Sequence, residues 1–268
     1  MHAKTLKLLI SLLILLFSLS LHASDIAKEK RWADQIKDSL LVGKAVWLPA
    51  GKKKFFGIYS ESMISKTVGA AIVLHGIGAH PDWLEVINPV RSELPTYGWA
   101  TLSIQMPILA NEAKPRDYIP LFKEVPARID AAIDFLQQKG IYNIVIIAHS
   151  MGSAMASYYL AKRPKAKIRG YIGIGMTEHK KNSPLSNVAS LRKIKIPVLD
   201  LYGSRDLESV RKYARARKQA ALKAKNPHYE QIEVKDADHF FTNKENVLIK
   251  RIRGWLFRNA TGSEIKLK

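Results

Sequence analysis

The 268-residue chain predicts an α/β fold: a three-layer sandwich in which a mostly parallel sheet carries helices on both faces under a small cap. Three observations predict it. Short, mostly apolar runs recur at 70–74, 99–104, 144–147, 170–175 and 198–202, and the run at 144–147 is continuously apolar and β-branched, as a strand buried on both faces would be. Amphipathic stretches separate them, so strand and helix alternate. Glycine or turn residues close most of the runs, which places loops at one end of the sheet.

Before that alternation begins, Lys4 and Lys7 precede an apolar run from Leu8 to Leu21, and Ala23 stands before the polar Ser24-Asp25. This pattern reads as a signal peptide over residues 1–23, with 24–268 as a single domain. The apolar run is short for a membrane span, although an uncleaved anchor is the alternative. Without cysteine, the chain uses no disulfides even where they could form. A periplasmic or secreted location follows.

Net charge is +20 at pH 7, with basic residues spread over 52–54, 162–169, 180–181, 211–225 and 250–258. For an exported chain this favours weak association with anionic membrane surfaces or cell-wall polymers and not nucleic acid.

Along the chain, Trp32, Ile36 and Leu40 mark a short helix that stops at Gly43. Lys44–Leu48 and Phe55–Tyr59, separated by Pro49-Ala50-Gly51, read as a hairpin opening the sheet. Ala70–Leu74 is a buried strand ending in His75-Gly76-Ile77-Gly78. Trp83–Leu94 is a crossover helix that Pro89 must shorten or kink. Trp99–Ile104 is the next strand, followed by an irregular segment to Pro120. A helix from about Pro126 carries the stripe Ile129, Ala132, Ile133 and Leu136 and ends at Gly140. Ile144–Ile147 and a helix from Ser153 to Lys162 flank the pentapeptide Ala148-His149-Ser150-Met151-Gly152. After the strand at 170–175, the polar stretch 177–195 is too short for a large lid, which leaves the site open. Glu208–Lys225 reads as a basic helix with a thin stripe through Tyr213, Ala216 and Ala220. Tyr229–Val234 is the last strand. Thr242 with Glu245 forms a capping box for a final helix packing through Leu248, Ile252, Trp255 and Leu256.

The pentapeptide between a buried strand and a helix has the form of a nucleophile elbow, where the backbones approach so closely that the flanking positions must be small. A serine hydroxyl needs an imidazole to take its proton, and the imidazole needs a carboxylate to orient it. Both occur downstream, each just past a strand end: Asp206 in Gly203-Ser204-Arg205-Asp206, and His239 in Asp236-Ala237-Asp238-His239. Asp200 and Asp238 compete with Asp206 for the carboxylate role. The backbone N–H groups of Ile77 and Met151 are the expected oxyanion donors. His75 braces the first loop. His80, Trp83 and His149 are candidate substrate-binding residues. The histidines lack the short spacing of a compact metal site, and no nucleotide-binding glycine loop is present. No metal and no cofactor are expected.

His75-Gly76, the 148–152 elbow, the 203–206 turn and Asp238-His239 together resemble the α/β-hydrolase superfamily. Within it, Leu74 to Trp83 and Gly98 to Ser103 resemble an exported proteobacterial hydrolase-fold family of unknown function. Ala148 departs from the usual first glycine of the elbow, and the cap is small. The resemblance implies hydrolysis of an ester, thioester or amide bond in a small-molecule acyl substrate through an acyl-enzyme. The expected function is that of an exported serine hydrolase, carboxylesterase-like, with Ser150, His239 and Asp206 as its triad. The alternatives are a peptidase or amidase of the same fold and a non-catalytic cell-envelope binding protein.

Overall fold

The computed structural model describes residues 24–179 and 183–260. The expected signal peptide, residues 1–23, lies outside them. Among the described residues, no helix is long and apolar enough to cross a membrane.

Helix α1 (Ile26–Lys37) leads into an antiparallel hairpin of β1 (Lys44–Ala50) and β2 (Lys53–Ser60). The alternating part then runs β3 (Gly69–Leu74), α2 (Ile87–Glu93), β4 (Trp99–Ile104), α3 (Val125–Gln138), β5 (Ile144–His149), α4 (Met151–Lys162) and β6 (Gly170–Ile174). It ends with α5 (Asn187–Leu191), β7 (Val198–Gly203), α6 (Glu208–Arg211), α7 (Ala214–Lys223), β8 (Tyr229–Val234) and α8 (Glu245–Asn259). The eight strands form one sheet in the order β1-β2-β4-β3-β5-β6-β7-β8. From β4 to β8 every pairing is parallel.

Strand alternation divides the core in two. Ala70, Ile72, Leu74 and Ile146 point to the face covered by α3 and α4, against Ile129, Ala132, Leu136 and Met155. Ala71, Val73, Val145 and Ile147 point to the face covered by α2 and α8, against Val90, Leu248, Ile252 and Trp255. The central strands β3, β4 and β5 are therefore buried at every residue, which is why their sequences are mostly apolar, and the buried Thr101 and Ser103 of β4 donate to the carbonyls of Arg91 and Pro81. Their carboxyl ends all open to the same side, where the loops gather.

Several local expectations need correction. Helix α2 begins at Ile87, so Pro89 falls in the first turn, where its missing N–H is no loss, and Trp83 lies before the helix. The segment leading to Pro120 is not wholly irregular, because Pro115–Lys123 forms 3₁₀ turns. The basic helix expected over 208–225 is two helices broken at Lys212-Tyr213. Its inward face is Ala214, Arg217, Ala220 and Ala221, whereas Tyr213 is exposed. An apolar stripe fails there because Arg217 is the core-facing residue, paired with Asp200 of β7 at 2.7 Å with neither side chain exposed. The Thr242 capping box is also absent: the cap position of α8 is Lys244 with no side-chain bond, and the Thr242 N–H donates to Asp238.

Asp200 accepts further hydrogen bonds from Tyr229 (2.6 Å) and Gln231 (2.7 Å), while Arg217 donates to the carbonyls of Met176 and Val210. Removing one partner of a buried pair strands the other charge. Arg217→Met is expected to destabilise the protein by about 3–5 kcal/mol, measured by urea unfolding; a loss under about 1 kcal/mol, as at an exposed pair, would contradict this account.

Candidate active site

The site is assembled where β5, β7 and β8 end. Ser150 follows β5 with φ 53° and ψ −120°, a backbone conformation costing a non-glycine residue about 1–3 kcal/mol. Two contacts enforce it. The Ser150 N–H still continues the sheet by donating to the Ile174 carbonyl (2.9 Å), while the next residue already starts α4. The chain must therefore turn from strand to helix within one residue. The turn drives Gly152 against β3: a side chain there would come within 2.7 Å of the Leu74 carbonyl oxygen and 2.5 Å of that of His75. Only glycine fits. Ala148 is fully buried in β5 between Leu74 and Gly173, so its methyl is accommodated in the sheet and the turn keeps its strained form.

The Ser150 hydroxyl donates to His239 Nε2 (2.9 Å), and His239 Nδ1–H donates to Asp206 Oδ1 (2.6 Å). Asp206 Oδ1 also accepts the Leu207 N–H (2.7 Å). The two loops carrying these residues are tied together, since Ser204 N–H donates to Val234 and Arg205 N–H to Ala237, both at 2.9 Å. Asp206 is 2% exposed, His239 6% and Ser150 8%. Hence the carboxylate is sealed while serine and imidazole keep an edge on solvent. Asp200 and Asp238 stand elsewhere: the former is committed to Arg217, and the latter accepts from the N–H groups of Phe240 and Thr242 (3.0 Å each).

The N–H of Met151 opens α4 beside Ser150, and Ile77 lies in the loop after β3. Among the described residues neither N–H donates to a protein acceptor, so both are free for a ligand oxygen. His75 holds that loop. Its Nδ1–H donates to the Gly76 carbonyl (2.9 Å), and its Nε2 accepts the Met106 N–H (2.9 Å). Burial lowers its pKa to about 3, so it stays neutral and keeps this pattern.

His149 is buried behind the site. It is 3% exposed and donates from Nε2 to the His239 carbonyl (2.9 Å), with the two rings 4.8 Å apart. It sits behind His239 because β5 buries alternate side chains on this face. Burial first, and then the neighbouring His239, lower its pKa to about 3. His80 and Trp83 form a half-buried aromatic row with Trp32, with ring separations of 5.1 and 5.4 Å. They are not among the groups hydrogen-bonded to Ser150 or His239.

Two contributors escaped sequence reasoning. Gly175 has φ +57°, and a side chain there would come within 2.9 Å of the His239 ring; the glycine-rich end of β6 was the available signal. Phe240 is 43% exposed and stands edge-on to His239 at 5.2 Å. His239 is thus packed between His149 and Phe240.

The chain matches the family described as Protein of unknown function (DUF3530) over residues 6–120 and 117–258. No curated protein sequence matches it. Among solved structures it is similar to Est1E from Butyrivibrio proteoclasticus, with 14% identity, 81% of this chain and 98% of that one covered, and a TM-score of 0.62. It is also similar to a putative dienelactone hydrolase from Klebsiella pneumoniae, with 19% identity, the same coverage and a TM-score of 0.62. A third is XC6422 from Xanthomonas campestris, described as a serine hydrolase without lid: 14% identity, 84% and 98% coverage, TM-score 0.62. The shared architecture is the α/β-hydrolase fold.

The buried histidines make stability pH-dependent. Unfolding exposes His75 and His149, whose pKa then rises from about 3 toward 6.5, so below pH 6.5 the unfolded chain binds more protons and stability is lost as pH falls. His149→Gln keeps a donor but cannot titrate. Between pH 6 and 4 its urea-derived stability should fall less steeply than the wild type's, by up to about 1.4 kcal/mol per pH unit; parallel slopes would contradict this.

Proposed function

Since the chain belongs to the DUF3530 family, described only as of unknown function, we propose from the site itself that the protein is an exported serine hydrolase of carboxylesterase type. The observation that carries this reading is the hydrogen-bonded chain Ser150–His239–Asp206 at a strained serine. Structural neighbours described as an esterase domain and as a serine hydrolase without lid support it through their common fold.

In this reading Ser150 Oγ attacks the acyl carbonyl while His239 Nε2 takes its proton. Asp206 fixes the Nδ1–H tautomer and stabilises the imidazolium. The N–H groups of Ile77 and Met151 receive the oxyanion, each worth about 3 kcal/mol in the transition state. His239 then returns the proton to the departing alkoxide, leaving an acyl-Ser150 ester. Water, deprotonated by His239, attacks that ester, and the acid product departs as His239 returns the proton to Ser150 Oγ. No cofactor enters these steps. His149 positions His239, whereas His80 and Trp83 contribute to the substrate surface at the edge of the loop after β3.

Export to the periplasm or beyond is supported by the composition of residues 1–23, with 24–268 acting as one domain. The net charge of +20 supports weak association with anionic envelope surfaces. The short 177–195 segment, too small for a large lid, favours short acyl groups.

A panel of p-nitrophenyl esters and aminoacyl anilides tests the proposal. Acetate and butyrate esters should turn over faster than palmitate and faster than the anilides. Ser150→Ala should lower kcat by roughly 10⁶ and Asp206→Asn by roughly 10⁴. A preference for long chains or anilides would redirect the substrate assignment, and a tenfold loss in Ser150→Ala would mean another nucleophile.

A further inference from the structure

The start of the described chain is held by contacts that the chemistry above does not use. Ser24 is 6% exposed. Its N–H donates to Glu124 Oε1 (3.1 Å) and its hydroxyl to Glu124 Oε2 (3.0 Å). Arg128 donates to Ser24 Oγ (3.1 Å) and to both oxygens of Glu29 (3.0 Å each). The side chains of Arg128 and Glu29 are 4% and 7% exposed, and that of Glu124 25%.

Two carboxylates thus share one guanidinium in a largely dehydrated cluster, which leaves a negative charge in excess. Such a charge is costly unless paired. Among the described residues, no other cation lies within 4.0 Å of either carboxylate. Lys28 turns away to the Leu109 carbonyl (3.0 Å) and Asn111 (2.6 Å). Lys53 and Lys54 line an adjoining cavity of about 240 Å³ but are exposed. Burial holds Glu29 above the usual carboxylate range, although Arg128 pulls it back down.

We propose that the missing charge is the α-ammonium of Ser24, created when a leader peptidase cuts the Ala23–Ser24 bond, and that Glu124, Glu29 and Arg128 form the dock for this mature N-terminus. The inference rests on residues 1–23 being a leader and not on the hydrolase chemistry. Water adds across the Ala23–Ser24 amide; Ala23 departs with a carboxylate, and the Ser24 amine takes up a proton. One amide donor becomes three ammonium donors, on a group with an ordinary pKa of about 8, placed 3.1 Å from a carboxylate oxygen.

The register is fixed from the other side. Asp25 N–H donates to the Ile108 carbonyl (2.8 Å), and the Asp25 side chain caps α1 by accepting the Lys28 N–H (2.9 Å). A cut one residue away would displace the charge by about 3.8 Å. The dock also reaches the loops of the site, because Arg128 donates to the Gln105 carbonyl (2.8 Å) and the next residue, Met106, donates to His75.

The full chain, leader included, is exported in a Gram-negative host, recovered from the periplasm and weighed intact. Thermal unfolding then compares it with a form carrying one glycine inserted between Ala23 and Ser24, with Glu124→Gln, and with the two combined. The expected mass is that of a chain beginning at Ser24. The insertion and Glu124→Gln should each lower Tm by about 2–6 °C, and the combination by no more than the larger of the two. Nα-acetylation of the mature protein removes the charge without touching Glu124 and should reproduce the insertion's shift if Glu124→Gln fails to fold. A different N-terminus, additive shifts, or no shift on insertion or acetylation would overturn the proposal. None of these readouts depends on Ser150.

Discussion

The close approach of Gly152 to the carbonyl oxygens of Leu74 and His75 is the constraint on which the rest of the site depends. It joins the start of α4 to the end of β3, so the serine and the loop bearing Ile77 cannot be positioned independently. Because β5 and β3 pair in register through Ala148 and Leu74, the turn after one strand faces the turn after the other. A strained backbone at Ser150 persists only because both neighbours are fixed: the N–H before the turn is bound in the sheet, and the helix after it is packed in the core.

The other half of the site is held by polar groups buried deeply enough to have one arrangement. Asp200 and Arg217 anchor β7 to the segment after β6 through the Met176 carbonyl, one residue from Gly175, which lies against His239. His149 fixes the His239 main chain from behind, and the mutual hydrogen bonds of the two final loops set the spacing of Asp206 and His239. Neutral buried imidazoles at 75 and 149 serve here as rigid hydrogen-bonding struts. The hydrophobic layers position the strand ends, and these polar ties aim the side chains.

The sheet was legible in the sequence because its strands are short, mostly apolar runs set between turn residues and amphipathic stretches. Trp99–Ile104 and Tyr229–Val234 match their predicted bounds, and the hairpin matches in its pairing. Legibility failed where a charged residue took a core position. Arg217 interrupts the stripe that a helix normally shows, and only the partner Asp200, seventeen positions earlier in another element, accounts for it. The capping box failed for a related reason, since Asp238 captures the Thr242 N–H to shape the loop after His239. The packing of His149 was not legible, because adjacency to Ser150 in sequence says nothing about which face of β5 a side chain takes. The Ser150, Asp206 and His239 positions were legible from chain order and strand ends, whereas their hydrogen bonds required the sheet.

We propose that Ser150 is a nucleophile activated by His239, and the features above converge on that role. Its most direct test is reaction of the purified protein with a fluorophosphonate and mapping of the adduct by peptide mass. One stoichiometric adduct, located on Ser150, and strongly slowed labelling in His239→Ala are expected. Absence of labelling in the folded wild type, or an adduct on another residue, would contradict it.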